Sequence, residues 1–183
     1  MFPASGSMAD LAWLNRAPEA SAAAALFRCC GCAGWARAVS AARPFATAEA
    51  LRAAAEQEWE KASREDILEA FSHHPRIGDR ESLRARFPAT HEWSASEQGM
   101  AAGADEPTLD ELARANREYE ARFGHVFIVC AAGKSASEIL SMLRDRLTHS
   151  PVEELRIAAG EQMKIMRLRL EKLLCEKPEG ATA

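Results

Sequence analysis

The sequence predicts an all-α fold, a single compact helical-bundle domain of about seven to nine helices. Three observations predict it. Helix start and stop signals recur along the whole 183-residue chain. Apolar residues return at helical spacing between those signals, and one short run, Val126 to Cys130, reads as a strand. A lone strand cannot pair its own backbone groups, so this run is expected to be a buried extended connector, satisfied by side chains or by substrate.

The elements follow in order. Residues 1–10 are expected to be a disordered start or a cloning remnant, 11–175 the helical domain, and 176–183 a frayed tail. A short helix enters at Leu11 to Asn15, with Leu11, Trp13 and Leu14 as anchors. Pro18 stands where the first helical residue belongs, and Glu19 to Cys30 forms a helix stopped by Gly31. Trp35 to Ala42 is a further short helix, ended before Pro44. Thr47 caps the next, which runs through Leu51 and Trp59, and Ser63 with Asp66 makes a capping box for a helix leading to His73 and His74. Between Asp79 and Thr90 the period is lost apart from a turn at Leu83 and Phe87, and Ser94 then opens a helix interrupted at Gly103. Thr108 with Glu111 forms another cap, and Leu109, Leu112, Asn116, Tyr119 and Phe123 share one face until Gly124. Ser135 and Glu138 box the start of a helix over Ala136 to Thr148, with Ile139, Met142, Leu143 and Leu147 inward. Ser150, Pro151 and Glu153 open a long last helix, whose expected inner stripe is Val152, Leu155, Ala159, Met163, Met166, Leu170 and Leu173.

Composition excludes several function classes. A net charge of −4, a pI near 5.8 and a single Tyr give neither a basic footprint nor a stacking platform, so no nucleic-acid partner is expected. No run of 18 apolar residues exists, so no membrane span is expected, and Ala20 to Ala25 lacks the flanks of a signal peptide. Five cysteines, three of them crowded at Cys29, Cys30 and Cys32, make no disulfide framework and fit a reducing, cytoplasmic compartment. That cluster lacks a second ligand pair, so ordinary small residues at a helix end are expected there and no metal site.

Four stretches could carry chemistry. In Phe71-Ser72-His73-His74-Pro75-Arg76-Ile77-Gly78-Asp79, Pro75 turns the chain out of a helix at the histidines. Free carbonyls and the negative end of the helix dipole there favour a protonated imidazole, a good place for a proton donor. The bland alternative is a surface helix end with solvated histidines. Ser94-Ala95-Ser96-Glu97-Gln98 has an equally bland reading as a capping box, to which Gln98 is superfluous. Phe123 to Val129 is either a core segment after a glycine stop or an apolar wall whose backbone grips a flat polar heterocycle. On the last helix Arg169 stands at the edge of the apolar stripe, as a snorkelling surface residue or a fixed guanidinium for a carboxylate.

Taken together these stretches resemble the 2-oxo-4-hydroxy-4-carboxy-5-ureidoimidazoline (OHCU) decarboxylase family. The resemblance runs from about Leu11 to Leu174. It covers His74-Pro75-Arg76-Ile77-Gly78, Trp93 to Gln98, Asn116 to Gly124, Val126 to Val129, Gly133-Lys134-Ser135 and Lys164 to Leu170. It implies an all-helical enzyme of urate degradation, usually a homodimer, without metal or organic cofactor, that converts OHCU to (S)-allantoin and CO2. It also implies roles: His74 as general acid with Pro75 beside it, Ser94, Glu97 and Gln98 as substrate ligands, and the segment His125, Val126, Phe127, Ile128 and Val129 against the ring. Arg169 would hold the carboxylate, with Arg167 the alternative if the register shifts by two, and His73 would replace His74 if that assignment shifts by one. Many members read Phe-Pro-Phe where this chain has His125-Val126-Phe127, a change that backbone contacts survive. Rival readings are a lyase or hydrolase acting on a related ureido compound and a non-catalytic helical interaction domain. A fusion to the preceding hydrolase of the pathway is not expected within 183 residues.

Overall fold

A computed structural model describes residues 8–76 and 106–175. Among the described residues there are eight helices and no strand, in keeping with the all-α expectation. They are α1 (Met8–Arg16), α2 (Glu19–Cys30), α3 (Ala33–Ala41), α4 (Ala48–Glu60), α5 (Arg64–Ser72), α6 (Glu106–Phe123), α7 (Ala136–Arg146) and α8 (Pro151–Cys175). The expected turn at Leu83 and Phe87, the helix from Ser94, residues 1–7 and the tail from Glu176 lie outside the described residues. The helices group into two compact units, residues 1–67 with 165–183 and residues 68–164.

In the first unit the punctuation works as the sequence reads. Gly31 takes a left-handed φ of 76° and returns its N–H to Phe27 O, closing α2. The Thr47 side chain accepts the Ala50 N–H, and Ser63 and Asp66 exchange hydrogen bonds at the start of α5. Pro18 is one position off: its ψ of 146° makes it the N-cap, with Glu19 the first helical residue. The first helix also begins earlier than expected, at Met8. Likewise α3 begins at Ala33, ahead of Trp35, because the Cys32 sulfur accepts the Trp35 N–H and caps it. None of the five cysteines is in a disulfide, Cys29, Cys30 and Cys32 are buried, and the Cys32 sulfur also lies 3.6 Å from the Asp66 carboxylate. The Trp35 indole donates to Ala55 O at 2.8 Å, tying α3 to α4.

The second unit has its core between α6, α7 and the extended stretch 126–131. Leu112, Ala115, Tyr119, Phe127, Val129, Ala131, Ile139 and Leu143 pack together there. The expected inner face of α6 is right, but its cap is not: the chain is already helical at Glu106, so Thr108 lies inside the first turn. Glu111 instead pairs with Arg144 and Arg114. Pro107 fits that first turn because its missing N–H has no helical partner to lose. The capping box at Ser135 and Glu138 is present, while α7 ends at Arg146, two residues early, as Thr148 and His149 tighten into i→i−3 bonds.

The first half of α8 departs most from expectation. Val152 is 80% exposed, and the buried positions there are Glu154, Ala158, Glu161 and Gln162. The cause is the extended stretch beside it, whose polar groups call for polar partners. From Ile165 onward the inner face is mainly apolar, with Ile165, Met166, Leu170 and Leu173, and it also buries Arg169.

Candidate functional site

The path to the site begins at the end of α5. His73 and His74 return their N–H groups to Ala70 O and Phe71 O, at 3.2 and 3.0 Å, a tight last turn that Pro75 then leaves. Pro75 is buried and His74 half-buried, with its Nε2 screened from solvent. On the other side α6 stops at Gly124, whose φ of 77° only glycine adopts without strain, and delivers His125.

These two chain turns meet around one cavity of about 400 Å³. Leu68, Phe71, Pro75 and Val126 supply its apolar lining, His74 and His125 its imidazoles, and Arg76 and Glu120 its charges. The size falls in the range of small-molecule sites. His125 is held by rings, 5.1 Å from Phe71 and 5.5 Å from Tyr119 between centroids. Its Nδ1 lies 3.0 Å from Val126 O, and since a carbonyl only accepts, Nδ1 carries the proton. The Arg76 guanidinium meets both Glu120 oxygens, at 2.6 and 2.7 Å.

Behind this wall lies a buried charge network. Arg146 donates Nη1 to Ile128 O at 2.7 Å and Nε to Glu154 at 2.8 Å, and Tyr119 donates its hydroxyl to the same carboxylate. His149 adds Nδ1 at 2.9 Å. Burial raises the Glu154 pKa, but the hydrogen bonds from Arg146, Tyr119 and His149 outweigh it and hold the carboxyl below its usual range. Burial, reinforced by Glu154, pushes the Tyr119 phenol well up, so it stays a donor. Glu161 accepts the Cys130 N–H at 2.8 Å, and Lys134 donates to Cys130 O at 2.7 Å. The lone strand-like run is thus an extended connector whose backbone is held by side chains.

Of the residues singled out from sequence, His74, Pro75, His125 and Val126 line the cavity together. Phe127 and Val129 are core residues with Tyr119, and Ile128 is buried behind the wall. Ser94, Glu97 and Gln98 lie outside the described residues. Arg169, in the first unit, is 3% exposed and so no snorkelling surface residue. Arg167 is exposed and bonded to Glu56 at 2.6 Å. Arg76, Glu120 and Arg146 escaped sequence reasoning. The available signal for the first two was their place inside the stretches His74 to Gly78 and Asn116 to Gly124.

Comparison with known proteins gives the same answer from several directions. The family model for OHCU decarboxylase matches residues 15–171. The uric acid degradation bifunctional protein TTL of Arabidopsis thaliana is 39% identical over 81% of this chain, which spans only 46% of that protein's length. The 2-oxo-4-hydroxy-4-carboxy-5-ureidoimidazoline decarboxylase of Amia calva is 30% identical, over 76% of this chain and 79% of its own. A crystal structure of an OHCU decarboxylase in the presence of (S)-allantoin superposes with a TM-score of 0.69 and 36% identity, over 82% of this chain and 96% of that one. With the family model covering most of the sequence, this chain belongs to the OHCU decarboxylase family.

Proposed function

We propose that this chain is the carboxy-lyase that converts OHCU to (S)-allantoin and CO2 in urate degradation, with the cavity beside His74 as its reaction site. The observation that carries the reading is that His74 and Pro75 share one small cavity with His125 and Val126, in a member of this family.

The chemistry suits these groups. The substrate carries its carboxylate on a carbon next to a conjugated imidazoline ring. When the bond to CO2 breaks, the electron pair passes into the ring's carbonyl and imine groups, so the substrate is its own electron sink and the reading assigns no cofactor. The protein has to hold the carboxylate, favour the delocalised intermediate and bring a proton to one face. His74 delivers that proton to carbon, which sets the product's handedness, and is reprotonated from solvent before the next turnover. Arg169 holds the carboxylate, and Ser94, Glu97 and Gln98 bind the ureido and ring N–H groups, roles supported by the family resemblance. His125 and Val126 form the wall against the ring, and the family resemblance extends that role to the backbone of Phe127, Ile128 and Val129.

The reading includes a cytoplasmic homodimer. Five cysteines outside any disulfide fit a reducing compartment, and among the described residues no helix is long and apolar enough to cross a membrane. Light scattering coupled to size exclusion tests the dimer.

The test of activity generates the substrate in the cuvette from urate with urate oxidase and the upstream hydrolase, and follows the optical activity of allantoin by circular dichroism. Uncatalysed decay gives a racemate. A signal of one sign that grows with added protein supports the reading; a flat signal, or a different product, overturns it.

A further inference from the structure

We propose that the Arg76–Glu120 ion pair is a positioning clamp for His74, setting turnover rather than stability. The inference rests on the proposed function, since it gives His74 the proton-delivering role.

His74, Pro75 and Arg76 are consecutive. Upstream, the His74 N–H is tied to Phe71 O at the end of α5. Pro75 has a fixed φ and no N–H to offer, so it makes no backbone anchor of its own by donation. Downstream, Arg76 meets Glu120 on α6 through two parallel bonds of 2.6 and 2.7 Å, the fork geometry that fixes orientation as well as distance. His74 is thereby held between two anchors two residues apart. Glu120 also closes the opposite wall, since its carbonyl accepts the Gly124 N–H at 2.9 Å just before His125. One residue therefore links the turn carrying His74 to the turn carrying His125, and both Arg76 and Glu120 line the cavity.

The pair is poorly placed to be a stability element. Its side chains are 44% and 22% exposed, and such pairs contribute little because water screens them. Its leverage is local. The exposed pair Arg144–Glu111 joins two helices already fixed by their own backbone bonds. Arg76 follows a proline in non-helical backbone.

The test is steady-state kinetics with thermal melts for wild type, Glu120→Gln, Arg76→Lys, the charge-swapped double variant R76E/E120R, and Glu111→Gln as control. Glu120→Gln is expected to lower kcat about 10- to 100-fold, as small misplacements of a reacting group do. KM should stay within about 3-fold, the pattern of a lost transition-state interaction rather than lost binding. The melting temperature should move by no more than about 4 °C. Arg76→Lys, a point charge in place of a fork, falls between, and the swapped pair regains most of the lost kcat. Glu111→Gln keeps wild-type kcat. His74→Ala runs alongside. If wild type fails to accelerate (S)-allantoin formation, the functional reading and the clamp fall together. If wild type is active and His74→Ala is not, then Glu120→Gln at wild-type kcat, or a loss confined to KM, or no recovery in the swapped pair, overturns the clamp alone.

Discussion

An imidazole two residues past the last turn of a helix gains its position from backbone, and the two histidines of the cavity both have it so. Pro75 turns the chain beside His74, and Gly124, at φ 77°, turns it before His125. Such residues are legible in a sequence because proline and glycine punctuate it. Arg76 and Glu120 are not, because partners 44 positions apart leave no local pattern. The choice between Arg169 and Arg167 for the proposed carboxylate role can also be tested at this scale. Arg167 is an exposed partner of Glu56, which holds the guanidinium pKa up, whereas Arg169 is buried. Arg167→Ala is expected to change turnover by less than about 2-fold, as exposed ion pairs carry little. Arg169→Lys, losing the two-pronged donor, should lower kcat/KM by about 10-fold or more. Steady-state rates of both variants check this, and the reverse pattern would transfer the carboxylate role to Arg167.

At the scale of elements, most capping signals translate directly, Thr108 with Glu111 being the exception. Thr47, Ser63 with Asp66, Ser135 with Glu138 and the glycine stops all stand where the sequence puts them. Periodicity fails where a helix has polar work on its inner face. The first half of α8 buries Glu154 and Glu161 against the extended stretch, so a reading that assigns charges outward shifts the stripe onto Val152. The buried pair has a measurable consequence. Arg146→Met leaves the fully buried Glu154 and the Ile128 carbonyl without this donor, and should cost about 3–5 kcal/mol in urea denaturation. A loss under about 1 kcal/mol, the range of a surface pair, would contradict the network's role. Gly124→Ala meets open space, so it should cost only the left-handed backbone strain of about 1–2 kcal/mol. A fully neutral change in the same denaturation series would contradict that account.

Over the whole molecule, ionisation links the fold to pH. Glu154 is held below its ordinary value near 4.5, as is Glu138 by the Ser135 cap, and Asp66 is held below 3.8 by Ser63. In each case the unfolded chain takes up protons first as pH falls, so the stabilisation is complete above the ordinary values and is lost on descending through the folded ones. Tyr119 acts in the opposite sense. Its phenol keeps its proton in the fold above the ordinary value of 10.0, so stability is present below that pH and declines as pH rises beyond it. Urea midpoints measured across pH should therefore form a plateau between about 5 and 9.5, with a fall on each side. A midpoint that rises toward pH 3 would contradict the acid limb. The all-α class was legible in the sequence because caps and stops are local. The two-unit grouping was not, since it depends on contacts between distant segments.

The central claim is that the imidazole of His74 performs the stereospecific protonation. It is tested most directly by the initial rate at which allantoin optical activity appears with equal concentrations of folded wild type and His74→Ala, their far-UV spectra matched. The account predicts a loss of about 10²- to 10⁴-fold in the variant, the range of a positioned acid. A variant that forms (S)-allantoin at close to the wild-type rate would contradict it.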